Sequence, residues 1–194
     1  KLNSLIKNVD HSFENYEPTK AGRFIQLFVI DQLSNWYVRL CRRRFWKGEF
    51  TNDKLSAYQT LYTCLEAIAR LSSPIAPFFS DRLFRDLISV TKKHKVKSVH
   101  LSSFPKYNTE IINLDLEERM EIAQRVCSLV LGLRKKEKIK VRQPLQKIMV
   151  PAINENFKKQ LISVKSLILS ELNVKELEVL TSDSNVIKKK VKPN

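Results

Sequence analysis

Apolar residues recur every three or four positions along most of the chain, which is the period of an amphipathic α-helix. The spacing predicts a first helix over roughly Leu2–Phe13, with Leu2, Leu5, Ile6, Val9 and Phe13 on one face. Pro18 disfavours helical geometry at Glu17 and breaks it. A second, very long helix is predicted from about Thr19 to Lys47, ended by Gly48. A third follows Thr51-Asn52-Asp53, where Asp53 or Asn52 can cap it. Its expected core face is Leu55, Tyr58, Leu61, Tyr62, Leu65, Ile68, Ala69 and Leu71. Pro74 and Pro77 punctuate a fourth, carrying Phe78, Phe79, Leu83, Phe84, Leu87 and Ile88.

Residues 91–99 read as a solvated basic loop, and His100–Pro105 as an extended segment lying across the helices. A fifth helix is predicted over about Leu116–Lys136, with Met120, Ala123, Val126, Cys127, Val130, Leu131 and Leu133 at helical spacing. After Pro144 the rhythm changes. Ile148-Met149-Val150 reads as a short strand, Asn156–Leu172 as a helix and Val174–Leu180 as a second strand, with a parallel pair as the default for that crossover. The expected fold is mainly α. An antiparallel helical bundle occupies 1–142, a small α/β subdomain 143–181, and a polar basic tail containing Lys188-Lys189-Lys190 occupies 182–194.

Composition narrows this picture. Only 3 glycines in 194 residues argue against a β-sandwich and against a glycine-rich phosphate loop. No apolar run is long enough to span a bilayer, and no signal sequence opens the chain. The start at Lys1, without a methionine, reads as that of an excised piece. Cys41, Cys64 and Cys127 are widely separated and far in sequence from the three histidines, so no zinc site is expected. Buried free thiols in a reducing cytoplasm are expected instead. No Ser/His/Asp or Cys/His arrangement and no acidic cluster suggests a self-contained enzyme.

Charge is the most informative bulk property. Lys and Arg number 35 against 20 Asp and Glu, a net of +15. The surplus is concentrated at the two ends, with 17 basic and 9 acidic residues over 1–100 and 15 basic and 6 acidic over 131–194. Such a balance points to a polyanion, nucleic acid foremost and a membrane surface second. No helix pairs a Lys-rich face with a strongly apolar exposed one, so membrane binding is not expected.

Two segments could carry the chemistry. At 100° per residue, Val29, Leu33, Trp36, Tyr37 and Leu40 of the long helix group on one side. Asp31, Gln32, Asn35, Arg39, Arg42 and Trp46 group opposite. Arg44 falls over the apolar side and, unless the helix has ended by then, needs a carboxylate or carbonyl partner there. The polar stripe suits RNA, because arginines grip phosphates, asparagine reads base edges and unpaired bases stack on rings. The plainer reading is an ordinary solvated face, with Trp36, Tyr37 and Phe45 in the core. A second concentration, 134–142, holds six basic groups in nine residues at a helix end. It too can be read as a solvated surface.

These segments resemble the C-terminal region of isoleucyl-tRNA synthetases. Leu33-Ser34-Asn35-Trp36-Tyr37-Val38-Arg39, followed by Arg42-Arg43-Arg44-Phe45-Trp46, is similar to that family's signature in its helical anticodon-binding domain. Leu71-Ser72-Ser73-Pro74-Ile75-Ala76-Pro77-Phe78 resembles the proline-interrupted helix of the class I enzymes for isoleucine, valine, leucine and methionine, and Ser98–Pro105 the segment that follows it. Lys140–Leu145 and Glu171–Lys175 resemble downstream junctions of the isoleucine enzymes. The order is conserved with the family's and covers nearly the whole chain. The resemblance implies that Asn35, Arg39, Arg42, Arg43 and Trp46 approach the anticodon stem-loop of an isoleucine tRNA. It makes Arg134, Lys135, Lys138, Lys140 and Arg142 candidates for backbone contacts. It also implies a monomeric, cytoplasmic parent enzyme whose catalytic domain binds ATP and Mg. The two nucleotide-binding signatures of that domain are absent from this sequence, so no cofactor and no catalysis are expected of this chain alone. Alternatives are the same module of a valyl or other class Ia synthetase, and a helical bundle that docks on a protein.

Overall fold

The computed structural model describes residues 1–46, 48–93, 95–152 and 154–180. The tail predicted at 182–194 lies outside the described residues, as do Lys47 and His94. The chain divides into two compact units, Lys1–Ile112 and Asn113–Asn194.

The first unit is a helix bundle. It contains α1 (Leu2–Glu14), α2 (Pro18–Leu27), a π-helical continuation of α2 (Phe28–Val38), α3 (Arg42–Trp46), α4 (Asn52–Ser72) and α5 (Pro77–Thr91). Pro18 and Pro77 each stand in the first turn of a helix, where the missing N–H would have had no partner. The core gathers Leu5, Ile6 and Val9 of α1, Ala21 and Ile25 of α2, Phe28 and Leu33 of the π segment, and Cys64, Ile68 and Leu71 of α4. Each buried Leu, Ile or Phe contributes about 1.5–3 kcal/mol by leaving water. Ser12 is buried among them and satisfies its hydroxyl by donating to the Asn8 carbonyl at 2.7 Å. Val99 opens a short 3-10 turn (Val99–Leu101) and packs with Ala69 and Phe84. The chain then runs extended to Phe104, whose ring meets Phe13 edge-on at 6.0 Å, so this segment lies across the bundle as its sequence predicts.

Several expectations are corrected. The long second helix is not α throughout, because Phe28–Val38 is π-helical. Of the apolar residues the fourth helix carries, Phe78 and Phe79 are 90% and 68% exposed. The helix begins at Pro77, which leaves them in its first turn and gives the inward positions to Ser80 and Phe84. On α4, Leu55 and Tyr58 are more exposed than predicted, because small residues such as Ala57, Cys64 and Ala67 take the buried line. The α4 cap is Thr51, whose Oγ1 accepts from the Lys54 N–H at 3.3 Å.

The second unit contains α6 (Leu114–Lys136), β1 (Leu145–Pro151), α7 (Glu155–Ser163), α8 (Lys165–Leu172) and β2 (Val174–Leu180). Asn113 caps α6, accepting from the Leu116 N–H at 2.9 Å. The strands pair in parallel, with Leu145 opposite Val174, Ile148 opposite Leu177 and Val150 opposite Val179. The crossover predicted as one helix is two, interrupted at Val164. The boundary also falls earlier than the sequence suggests, at Ile112/Asn113 rather than at 142/143. The cause is the packing of α6. It buries Ile122, Ala123, Val126 and Cys127, and its Arg119 donates to Gln160 of α7 at 2.7 Å. All three cysteines are free and buried.

Candidate nucleic-acid interface

The π segment and α3 carry the polar stripe. In a π-helix each hydrogen bond reaches from residue i to i+5, so positions spaced by four stay close to one line. Asp31, Asn35 and Arg39 have that spacing. Asn35, Arg39, Arg42, Arg43 and Trp46 are all exposed, whereas Asp31 and Gln32 are partly sheltered. Leu33, Trp36, Cys41 and Phe45 are buried on the other side. The structure therefore brings the five predicted residues of this stripe to one exposed run of helix, with Trp46 80% exposed.

What holds α3 in place is its junction with α4. Arg44 points away from the stripe, as the helical geometry requires, and finds the carboxylate predicted for it. Its Nε and Nη2 donate to the two carboxylate oxygens of Asp53 at 2.7 Å each, and Nη2 also donates to the Asp53 carbonyl at 2.9 Å. This bidentate pairing raises the Arg44 pKa further above its ordinary value. Asp53 is the second residue of α4, inside the helix that Thr51 caps. Tyr37 donates to the Ala57 carbonyl at 3.0 Å, and Tyr58 to the Phe45 carbonyl at 3.2 Å. Burial pushes the Tyr37 phenol up, so it stays a neutral donor.

Sequence reasoning missed part of this surface. The Tyr58 ring lies 5.1 Å from Phe45 and is stacked with Phe50 at 6.4 Å and 12°. Phe50 is 70% exposed. Phe50 and Tyr58 thus form an open aromatic shelf that follows α3 across Gly48, which adopts φ +79. The available signal is the recurrence of aromatics at 45, 46, 50 and 58, although helical spacing alone puts Tyr58 on the core face.

The second predicted set lies in the other unit. Lys135, Lys138, Lys140 and Arg142 are exposed. Arg134 is not. Only 3% of it is exposed, and its guanidinium donates to the carbonyls of Lys140 and Gln143 at 3.0 Å, Leu172 at 2.9 Å and Asn173 at 3.3 Å. It cannot also reach a ligand, so its place among the binding candidates is corrected to a structural one. No group of three or more His, Cys, Asp or Glu among the described residues is arranged to hold a metal. Among the described residues no helix is long and apolar enough to cross a membrane.

A helix bundle that presents arginines and open aromatic rings along one exposed run is a nucleic-acid-binding type of surface. The chain belongs to the family described as the anticodon-binding domain of tRNA ligase, whose pattern matches residues 1–149. It is 55% identical over 194 residues to the isoleucine-tRNA ligase of Cytophaga hutchinsonii, covering 100% of this chain and 18% of that protein. Over 191 residues it is 58% identical to the isoleucine-tRNA ligase of Bacteroides fragilis, covering 98% of this chain and 17% of the relative. The isoleucine-tRNA ligase of Porphyromonas gingivalis is 50% identical over 194 residues, again with 17% of the relative covered. The chain thus spans under a fifth of the length of these relatives.

Proposed function

We propose that this chain recognises the anticodon stem-loop of an isoleucine tRNA and serves as the RNA-binding part of an isoleucine-tRNA ligase. The observation that carries the reading is the exposed line of Asn35, Arg39, Arg42, Arg43 and Trp46 on a helix pinned to its neighbour. Arg42 and Arg43 would position the RNA through its phosphates, Asn35 and Arg39 would meet base edges, and Trp46 would stack on an unpaired base. Lys135, Lys138, Lys140 and Arg142 would add backbone contacts from the second unit. Joining isoleucine to the tRNA would fall to a catalytic domain elsewhere in the full-length protein, with ATP and Mg bound there. The full-length protein would act in the cytoplasm as a monomer.

The test is binding of the isoleucine anticodon stem-loop beside a scrambled loop, for the wild type and for Arg42→Glu/Arg43→Glu. Selective binding that the double reversal abolishes supports the reading. Equal binding of both loops by the wild type rejects it, and preference for a valine loop would move the chain to the valine enzyme.

A further inference from the structure

The turn that follows α6 is built in an unusual way. Four successive carbonyls, those of residues 140 to 143, each accept a hydrogen bond from one of two side chains. Arg134 Nη1 donates to Lys140 and Gln143 at 3.0 Å each, and Asn173 Nδ2 donates to Val141 at 3.1 Å and Arg142 at 3.0 Å. A surface turn ordinarily gives such carbonyls to water. Here they face inward onto donors supplied by α6 and by the residue that joins α8 to β2. Both clamps are themselves fixed. Arg134 also holds the Leu172 and Asn173 carbonyls, and Asn173 sits in the left-handed region at φ 51. The other end of the turn is set by Lys138, at φ 56, with the Ile139 N–H donating to the Arg134 carbonyl at 2.8 Å.

The outward side of the turn is cationic. Lys138, Lys140 and Arg142 are exposed, and no ion pair among the described residues involves them. Beneath them lies the guanidinium of Arg134, a positive charge matched by carbonyl dipoles rather than by a carboxylate. A buried cation so placed adds to the potential above the turn, while its fork holds the turn's shape. Lysine could supply the charge but not the planar fork.

We propose that Arg134 and Asn173 are positioning residues that preform the 138–142 turn as a phosphate-binding site for the RNA backbone. This rests on the reading that RNA is the partner, but not on anticodon selectivity. Preorganisation matters because long cationic side chains on a loose loop lose much of their binding energy to ordering.

The experiment is a double-mutant cycle on the intact 194-residue chain, with an isoleucine tRNA transcript as the probe and a salt titration as the readout. Lys140→Ala/Arg142→Ala forms one arm. The other is Asn173→Gly, which removes the amide donor yet keeps the left-handed backbone. In the wild-type background the lysine–arginine pair should flatten the salt slope by about 1.4–1.8, the contribution of two phosphate contacts. In the Asn173→Gly background the same pair should change the slope far less, and amide exchange at 138–143 should quicken. Arg134→Lys, which retains the charge but loses the fork, should behave as Asn173→Gly does. An unchanged slope on removing Lys140 and Arg142 overturns the site. A full effect of that removal in both clamp variants overturns the positioning role. Loss of discrimination between cognate and scrambled loops, with the slope contribution intact, strikes the functional reading alone.

Discussion

The two cationic surfaces of this chain are built on opposite plans. In the helical unit the arginines stand on successive helical segments with the open ring of Trp46, and α3 is secured from behind by Arg44 and Asp53. In the α/β unit the cations stand on a turn with no aromatic partner among the described residues, and the turn is secured from below by Arg134 and Asn173. Rings next to guanidinium groups suit unpaired bases. Cations alone, held in fixed places, suit phosphates, which carry no sequence information. If the proposed RNA reading holds, this contrast would place discrimination in the first unit and general affinity in the second.

The largest expected effect comes from Arg134→Met, which leaves several inward carbonyls without donors. It should destabilise the second unit by roughly 3 kcal/mol, seen as faster amide exchange in β1 and β2 with the helical unit unchanged. Spread of that exchange into α1 and α4 would show that the units are not independently secured. Next is Trp46→Ala, which should weaken stem-loop binding by about 1–3 kcal/mol without moving the melting temperature, since the ring is exposed. A stability loss of that size would return Trp46 to a packing role. Arg44→Ala removes a partly exposed bidentate pair and should cost about 1 kcal/mol of stability, together with weaker loop binding as α3 loosens.

The smallest effect concerns acid. Asp81 accepts from the Ser98 hydroxyl at 2.7 Å and the Val99 N–H at 2.9 Å and pairs with Arg85 at 2.8 Å. These bonds, the Ser98 one foremost, hold its carboxyl below the usual range. A folded-state pKa below that of the unfolded chain stabilises above about pH 3.9, and the stability is lost as pH falls through the folded value. Asp81→Asn should therefore lower stability near neutrality and flatten the acid limb of a pH–stability curve. A limb as steep as the wild type's would remove Asp81 from the account.

Much of this was legible in the chain itself. The parallel pair could be read because apolar runs flank a segment of crossover length, and Asn173 marks the corner between helix and strand. The stripe could be read because apolar and polar positions separate on the long helix, even though part of it is π-helical rather than α. Arg44's need for a partner followed from its angle alone. The burial of Arg134 did not, since its partners are backbone carbonyls and any residue supplies a carbonyl. In sequence it is one cation within a basic run. The sequence marks Asp53 or Asn52 as the cap of α4, but the helix already begins at Asn52, which puts Thr51 in the cap position. Phe78 and Phe79 are apolar, yet the helix start at Pro77 turns them outward.

The most direct test of the contrast is loop discrimination measured side by side for two double variants that each reverse charge, Asn35→Ala/Arg39→Glu and Lys140→Glu/Arg142→Glu. The ratio of affinities for the isoleucine anticodon stem-loop and a scrambled loop should collapse to one in the first variant. In the second it should persist while both affinities fall. A ratio that survives the first reversal, or vanishes with the second, would contradict the assignment of recognition to the helical unit.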